Sequence, residues 1–225
     1  MEAKSHASYL NRKQIELREI MLSDDQQEQA IQLFMIQHAL LHAQNMAQTE
    51  SWSYEDEVFN NISDSQMRCI PQDAEHSAGW ILWHITRCED ITMNLLVAGE
   101  SQVLHEGDWM MQMKTSQKDT GNAMTREEIA DFSAKIGVNM LRAYRLAVGR
   151  RTREIVTLLP PDALKQKVEP ALVQRVFEEG AVVESAKGVA EYWGKRTVAG
   201  LLLMPATRHH LTHFNEVLKL KSKFP

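Results

Sequence analysis

The chain has 225 residues, 44% of them apolar and 24% charged, with a net charge of −5 when histidine is neutral. That composition excludes collagen-like and disordered classes, and the length suits one sizeable domain. Glycines number 10 and prolines 6, too few for a β-sandwich that turns about every ten residues, and the acids are interspersed with bases, so no broad basic face is offered to nucleic acid.

Residues 1–22 are polar and mixed, and read as an N-terminal arm or short helix ahead of a single domain over 23–225. Ser23-Asp24-Asp25 looks like a helix start. Ile31, Phe34, Met35 and Leu41 at helical spacing predict a first long helix over about 24–48. Residues 49–72 are turn-rich and end at Pro71, with room for one short helix around 54–60. A second helix is predicted over about 74–98, its inner face reading Trp80, Ile81, His84, Cys88, Ile91 and Leu95, with Arg87, Glu89 and Asp90 as its shoulder. Gly99 falls where a left-handed cap is expected. Residues 99–124 lack sustained periodicity, and a connection that long needs a reason. Thr125 and Glu128 form a capping box that opens a third helix running to Leu159, where Pro160-Pro161 stops it. Residues 162–194 hold one short helix near 170–179. A fourth long helix covers about 195–221 and is kinked at Pro205, which removes a backbone hydrogen bond.

Four long helices and no convincing strand predict an all-α four-helix bundle. Cys69 and Cys88 cannot make a disulfide framework, the polar Met1–Lys13 stretch is no leader, and the longest apolar run, Val198–Met204, is too short to span a membrane. The expectation is a cytoplasmic protein with neither membrane nor nucleic acid as partner.

His209 and His213 are four apart, on one helix face, where two imidazoles can share a metal ion. They fall on the stripe Leu202, Ala206, His209, His213, Glu216, Leu220. The plain alternative is a solvated patch that includes His210. A catalytic metal site usually takes three protein ligands and keeps one position open. His84, on the inner face of the second helix, is the third candidate; the alternative is a core histidine hydrogen-bonded across the bundle. At 1.5 Å rise per residue, both histidine levels lie roughly 12–18 Å from one bundle end if the second and fourth helices are antiparallel. Antiparallel packing of those two requires up-down-down-up connectivity, with a long crossover between helices two and three, and 99–124 is long enough to be it. His38 and His42, also four apart, read as a polar edge of the first helix, as orienting partners, or as a fourth ligand. Cys88, one turn from His84, reads as a small hydrophobe or a thiolate ligand. Glu216 can orient a ligand imidazole or act as a general base, or simply pair with a neighbouring helix.

The segment His76-Ser-Ala-Gly-Trp-Ile-Leu-Trp-His-Ile-Thr-Arg-Cys-Glu-Asp90 resembles the second helix of the DinB/YfiT-like proteins. Arg208-His-His-Leu-Thr-His-Phe-Asn-Glu216 resembles that superfamily's last helix, with its His-x-x-x-His pair. The resemblance runs from about residue 30 to 215. It implies a bundle of up-down-down-up connectivity and a divalent metal, most often nickel or zinc, with manganese or iron as further options, held by His84, His209 and His213. Some members are thiol-dependent transferases or isomerases using mycothiol, bacillithiol or glutathione. The chain is longer than the usual member, mainly at the N-terminus and over 99–124 and 162–194. The expectation is therefore a metal-dependent enzyme, a thiol transferase or a hydrolase, acting on a small molecule and able to form a homodimer. The rival is a non-catalytic metal- or ligand-binding bundle.

Overall fold

A computed structural model of the chain describes residues 3–23, 26–47 and 52–224, with side chains from residue 6 onward. Asp24 and Asp25, in the expected helix start, lie outside the described residues. Those described are helical, with no strand beyond an isolated bridge between Lys167 and Thr197.

Residues 1–22 contain α1 (Ala3–Met21), which lays Leu10, Leu17 and Met21 into the core. The first expected long helix is two: α2 (Gln27–Leu40) and α3 (Gln44–Ala47). It breaks at 41–43 because distant donors take its carbonyls. Arg145 Nη2 donates to Leu41 O (3.0 Å), and Ser53 Oγ donates to His42 O (2.6 Å). Two short helices follow, α4 (Tyr54–Phe59) and α5 (Asp64–Arg68), the second opened by a Ser63–Gln66 capping box.

Ser77 caps α6 (Ala78–Asp90) through the Trp80 N–H. A π-helical stretch, Ile91–Ala98, continues it to Gly99, whose φ of +68° supplies the expected left-handed cap. Every residue of α6 is buried, so Arg87, Glu89 and Asp90 are not a solvated shoulder. The long connection after Gly99 folds over that side of the helix. It carries a 3-10 turn, Val103–His105, and α7 (Trp109–Met113). The Asp90 carboxylate accepts the Val103 and Leu104 N–H groups, while Arg87 donates to Lys118 O, Gln102 Oε1 and the Tyr144 hydroxyl. That is the reason for the connection's length: it is tied to α6 through buried charge.

The Thr125–Glu128 capping box opens α8 (Arg126–Lys135), but the helix does not run through. It stops at Ile136 and Gly137, where the Gly137 N–H leaves the helical ladder for Met113 O (2.8 Å), and α9 (Val138–Thr157) begins anew. Next come α10 (Pro170–Glu178), near the expected place, and α11 (Lys187–Gly194). The fourth expected helix is α12 (Val198–Leu203), a π turn at Met204–Arg208 around Pro205, and α13 (His209–Lys221). The Leu203 carbonyl in the turn is satisfied by Gln14 of α1 and by the Thr207 hydroxyl.

The apolar core falls into two clusters, one around Trp83, Tyr144 and Phe214 and the other around Phe34, Leu201 and Trp193. Between Ile85 of the first and Ile91 of the second, α6 places Arg87, Glu89 and Asp90 inside the protein. It packs against α9 on one side and α13 on another.

Candidate metal centre

Across the contact between α6 and α13, the rings of His84, His209 and His213 converge. Their centroids are 5.0 Å (84–209), 5.1 Å (84–213) and 4.6 Å (209–213) apart. The donor atoms of His84, His209 and Cys88 lie within 4.8 Å of one another.

A neutral imidazole has one N–H and one lone pair. His84 Nδ1 is 2.6 Å from Thr120 O, and a carbonyl only accepts, so the proton sits on Nδ1 and the Nε2 lone pair faces the cluster. Lys118, two residues before Thr120, is the residue gripped by Arg87, so the buried charge network holds the carbonyl that orients His84. Gly121 follows with φ +78°, and a Cβ there would stand 2.7 Å from Trp83 Cζ3 and 3.1 Å from Trp80 Cζ2. Only glycine lets the loop come this close to α6. Trp80 in turn stacks on His84 at 4.9 Å and on His76 at 3.9 Å.

His213 repeats the pattern. Its Nδ1 donates to Glu216 Oε2 (2.9 Å), so its Nε2 lone pair faces His209 Nε2 at 3.1 Å. His209 Nδ1 is buried with no hydrogen-bond partner. Burial and the neighbouring imidazoles hold His209 well below the ordinary histidine range, and burial brings His84 to about 4. His84 and His209 are therefore neutral at neutral pH, so their ring nitrogens can serve as ligands. The Nε2 atoms of His209 and His213 face each other, and the all-imidazole donor set suits zinc or nickel.

Burial alone would raise Glu216, but hydrogen bonds from His213 and His76 outweigh it and bring the carboxyl to about 2. Cys88 Sγ is 3.9 Å from His84 Nε2, and burial pushes this thiol up to about 12. A cavity of about 270 Å³ opens beside the cluster. His84, Cys88 and His209 form its floor; Val189, Tyr192, Trp193, Met204 and Pro205 make its walls mostly apolar, with Asn122 as a polar group.

The remaining histidines go elsewhere. His38, His42 and His210 are fully buried and gather on Glu89, so neither a polar helix edge nor a solvated patch describes them. The sequence reading places Glu89 on a helix shoulder and gives it no part in a site. His209 and His213 flank the deepest stripe of α13, which reads His210, Leu211, Phe214 and Val217, because the π turn at Pro205 rotates the helix relative to α12.

A family model for the DinB superfamily matches residues 49–217. The chain belongs to the DinB superfamily. The matched stretch carries all three clustered histidines and Glu216, whereas α1, α2 with His38, and His42 just after α2 precede it. A comparison with curated proteins finds no match. No helix among the described residues is long and apolar enough to cross a membrane.

Proposed function

We propose that this DinB-superfamily protein is a metal-dependent enzyme that binds one divalent ion through His84, His209 and His213 and works on a small, largely apolar molecule in the adjoining cavity. The observation that carries this reading is the convergence of three imidazoles beside that cavity, with His84 and His209 in its floor and the protons of His84 and His213 fixed on Nδ1. We assign the scaffold to the up-down-down-up bundle, with 99–124 as the crossover that presents Thr120 to His84.

A divalent metal held there supplies Lewis acidity, which lowers the pKa of a water or thiol bound to it. The protein's own groups do the rest. Thr120 O and Glu216 hold protons at His84 Nδ1 and His213 Nδ1, which fixes ring orientation and strengthens both imidazoles as donors. With its carboxyl held at about 2, Glu216 acts here as a positioning residue and is a poor base toward substrate. Apolar walls exclude water, which favours transfer of a thiol to an electrophile over hydrolysis, and Asn122 offers one polar anchor. The cytoplasm, rich in low-molecular-weight thiols, is the matching compartment.

Untagged protein should retain zinc or nickel near one equivalent at this site, and His209→Ala should lose it. The loaded protein should conjugate glutathione or bacillithiol to 1-chloro-2,4-dinitrobenzene, and His209→Ala should not. Retention of that ion by His209→Ala would overturn the ligand assignment. A second reading, a closed non-catalytic metal site, is favoured by Cys88 beside His84. A metal–sulfur distance near 2.3 Å by X-ray absorption, lost in Cys88→Ala, would select it.

A further inference from the structure

We propose that Glu89, His38 and His42, with His210 beside them, form a second divalent-cation site, buried inside the protein and separate from the His84 centre. Glu89 Oε1 is 2.8 Å from His38 Nε2, Glu89 Oε2 is 3.0 Å from His42 Nε2, and His210 Nε2 is 3.3 Å from Oε2. All four side chains are fully buried.

Both ring nitrogens of His42 face acceptors. Nδ1 is 3.0 Å from His38 O and Nε2 is 3.0 Å from Glu89 Oε2. A neutral ring carries one N–H and can serve only one of them. A metal cation bound at Nε2 satisfies both contacts, with the proton on Nδ1. His210 has neither ring nitrogen hydrogen-bonded, and His38 Nδ1 is also unpartnered.

Charge points the same way. Arg145 faces both Glu55 and Glu89. Its Nε donates to Glu55 (2.5 Å) and its Nη2 to Leu41 O, while Nη1 stays 3.6 Å from Glu89 without a hydrogen bond. Arg153 gives its Nη1 hydrogen to Met35 O. One guanidinium therefore serves two buried carboxylates. The donor atoms of His38, His42 and Glu89 lie within 4.8 Å of one another, close enough for one ion to reach all three. Two histidines and a carboxylate suit iron, manganese or zinc.

Room for His42 is provided at a cost. Gly149 lies within α9, and a Cβ there would stand 2.7 Å from His42 Cδ2 and 3.0 Å from Nε2. Glycine inside a helix costs about 1 kcal/mol relative to alanine, and here it lets this imidazole reach Glu89. His38 and His42 precede the stretch matched by the superfamily, whereas Glu89 and His210 lie within it.

The test is metal stoichiometry of untagged protein made in zinc- or manganese-supplemented cells. Wild type should hold two equivalents per chain, and Gly149→Ala, Glu89→Gln and His209→Ala should each hold one. A single equivalent in wild type that vanishes in His209→Ala would overturn the second site. A single equivalent that survives His209→Ala but vanishes in Gly149→Ala would support it and remove the His84 reading instead. If the Gly149 and Glu89 variants fail to fold, anomalous diffraction from zinc-loaded wild type decides. A peak bonded to His42 Nε2 and Glu89 supports the site; no peak there overturns it.

Discussion

The two histidine clusters share α6 and α13, the second adding His38 of α2 and His42 just after it, and they differ in what surrounds them. On α6, Cys88 faces the cavity while Glu89 faces the interior; on α13, His209 faces the cavity while His210 faces the interior. Successive residues on a helix point about 100° apart, so one helix pair serves both sides. The His84 cluster borders a cavity of about 270 Å³, where ligands can exchange. The Glu89 cluster has no exposed atom and holds a carboxylate at its centre. Similar donors thus divide by access: one cluster borders a cavity, the other is enclosed where α2, α6 and α13 meet.

The largest expected effect is that of acid on metal-free protein. Burial lowers His38, His42, His84, His209 and His210, with His84 brought to about 4 and His42 to about 3. In the unfolded chain these groups take protons below about pH 6.5. As pH falls from there, the unfolded state binds protons that the folded state refuses, so stability is lost, by up to about 1.4 kcal/mol per pH unit for each histidine, until each group titrates in the folded protein, near pH 4 for His84 and near pH 3 for His42. Glu89, held below the carboxylate range against its burial by His42 and His38, adds loss of the same sign below about pH 4.5. Urea midpoints of chelated protein between pH 7.5 and 5 measure this, and a flat profile would contradict it. The two clusters separate when His42→Gln and His84→Gln are compared, since each should flatten only its own share.

Next in size is Glu89→Ala. Removing the carboxylate leaves Arg145 with Glu55 alone and strips His38 and His42 of their shared acceptor. The expected loss is about 3–5 kcal/mol, the cost of breaking a buried charged network by removing one member. Denaturant unfolding reads it directly. Glu216, at the rim of the other cluster, should show nothing comparable.

What could be read from the sequence follows the same division. His84, His209 and His213 stood out because four-residue spacing and an apolar stripe are local patterns, and Gly99 and Thr125 marked local helix ends. Glu89 was hidden because periodicity assumes that a helix has a solvent face, and α6 has none. The sequence offers His42 as a polar edge, an orienting partner or a fourth ligand, and its gathering on Glu89 was hidden because its helix ends early, its carbonyls claimed by Arg145 and Ser53 from far along the chain. The break at Gly137 depends on Met113 O, and the rotation that turns His210 inward depends on the π turn at Pro205. Each of these is a tertiary override, invisible to a window of neighbouring residues.

Gly121→Ala tests the cavity side with an intermediate effect. The substitution forces a Cβ against Trp83 at a φ of +78°, which should cost about 1–3 kcal/mol of stability. It should also shift Thr120 away from His84 and weaken the cavity-side ion while leaving the Glu89 ion in place. Loss of both ions together would mean that the two clusters are not separable.

The smallest effect on stability, and the sharpest on function, is expected at Glu216. Its side chain is 36% exposed and its partners are half-buried histidines, so removing its charge should leave the unfolding midpoint nearly unchanged. Its work is to keep the proton on His213 Nδ1. Glutamine can still accept a hydrogen bond there, but it pulls less on the ring and can flip to present an N–H. Glu216→Gln should therefore weaken zinc binding at the cavity-side centre about 10–100-fold, the usual penalty for losing such an orienting partner. Competition against a chelator measures that change. Because His76 shares the same carboxylate, His76→Phe keeps the stack on Trp80 and leaves Glu216 to His213 alone. That variant should bind zinc at least as tightly as wild type. If it instead weakens binding as much as Glu216→Gln does, the carboxylate works through the His76–Trp80–His84 stack and not through the His213 proton.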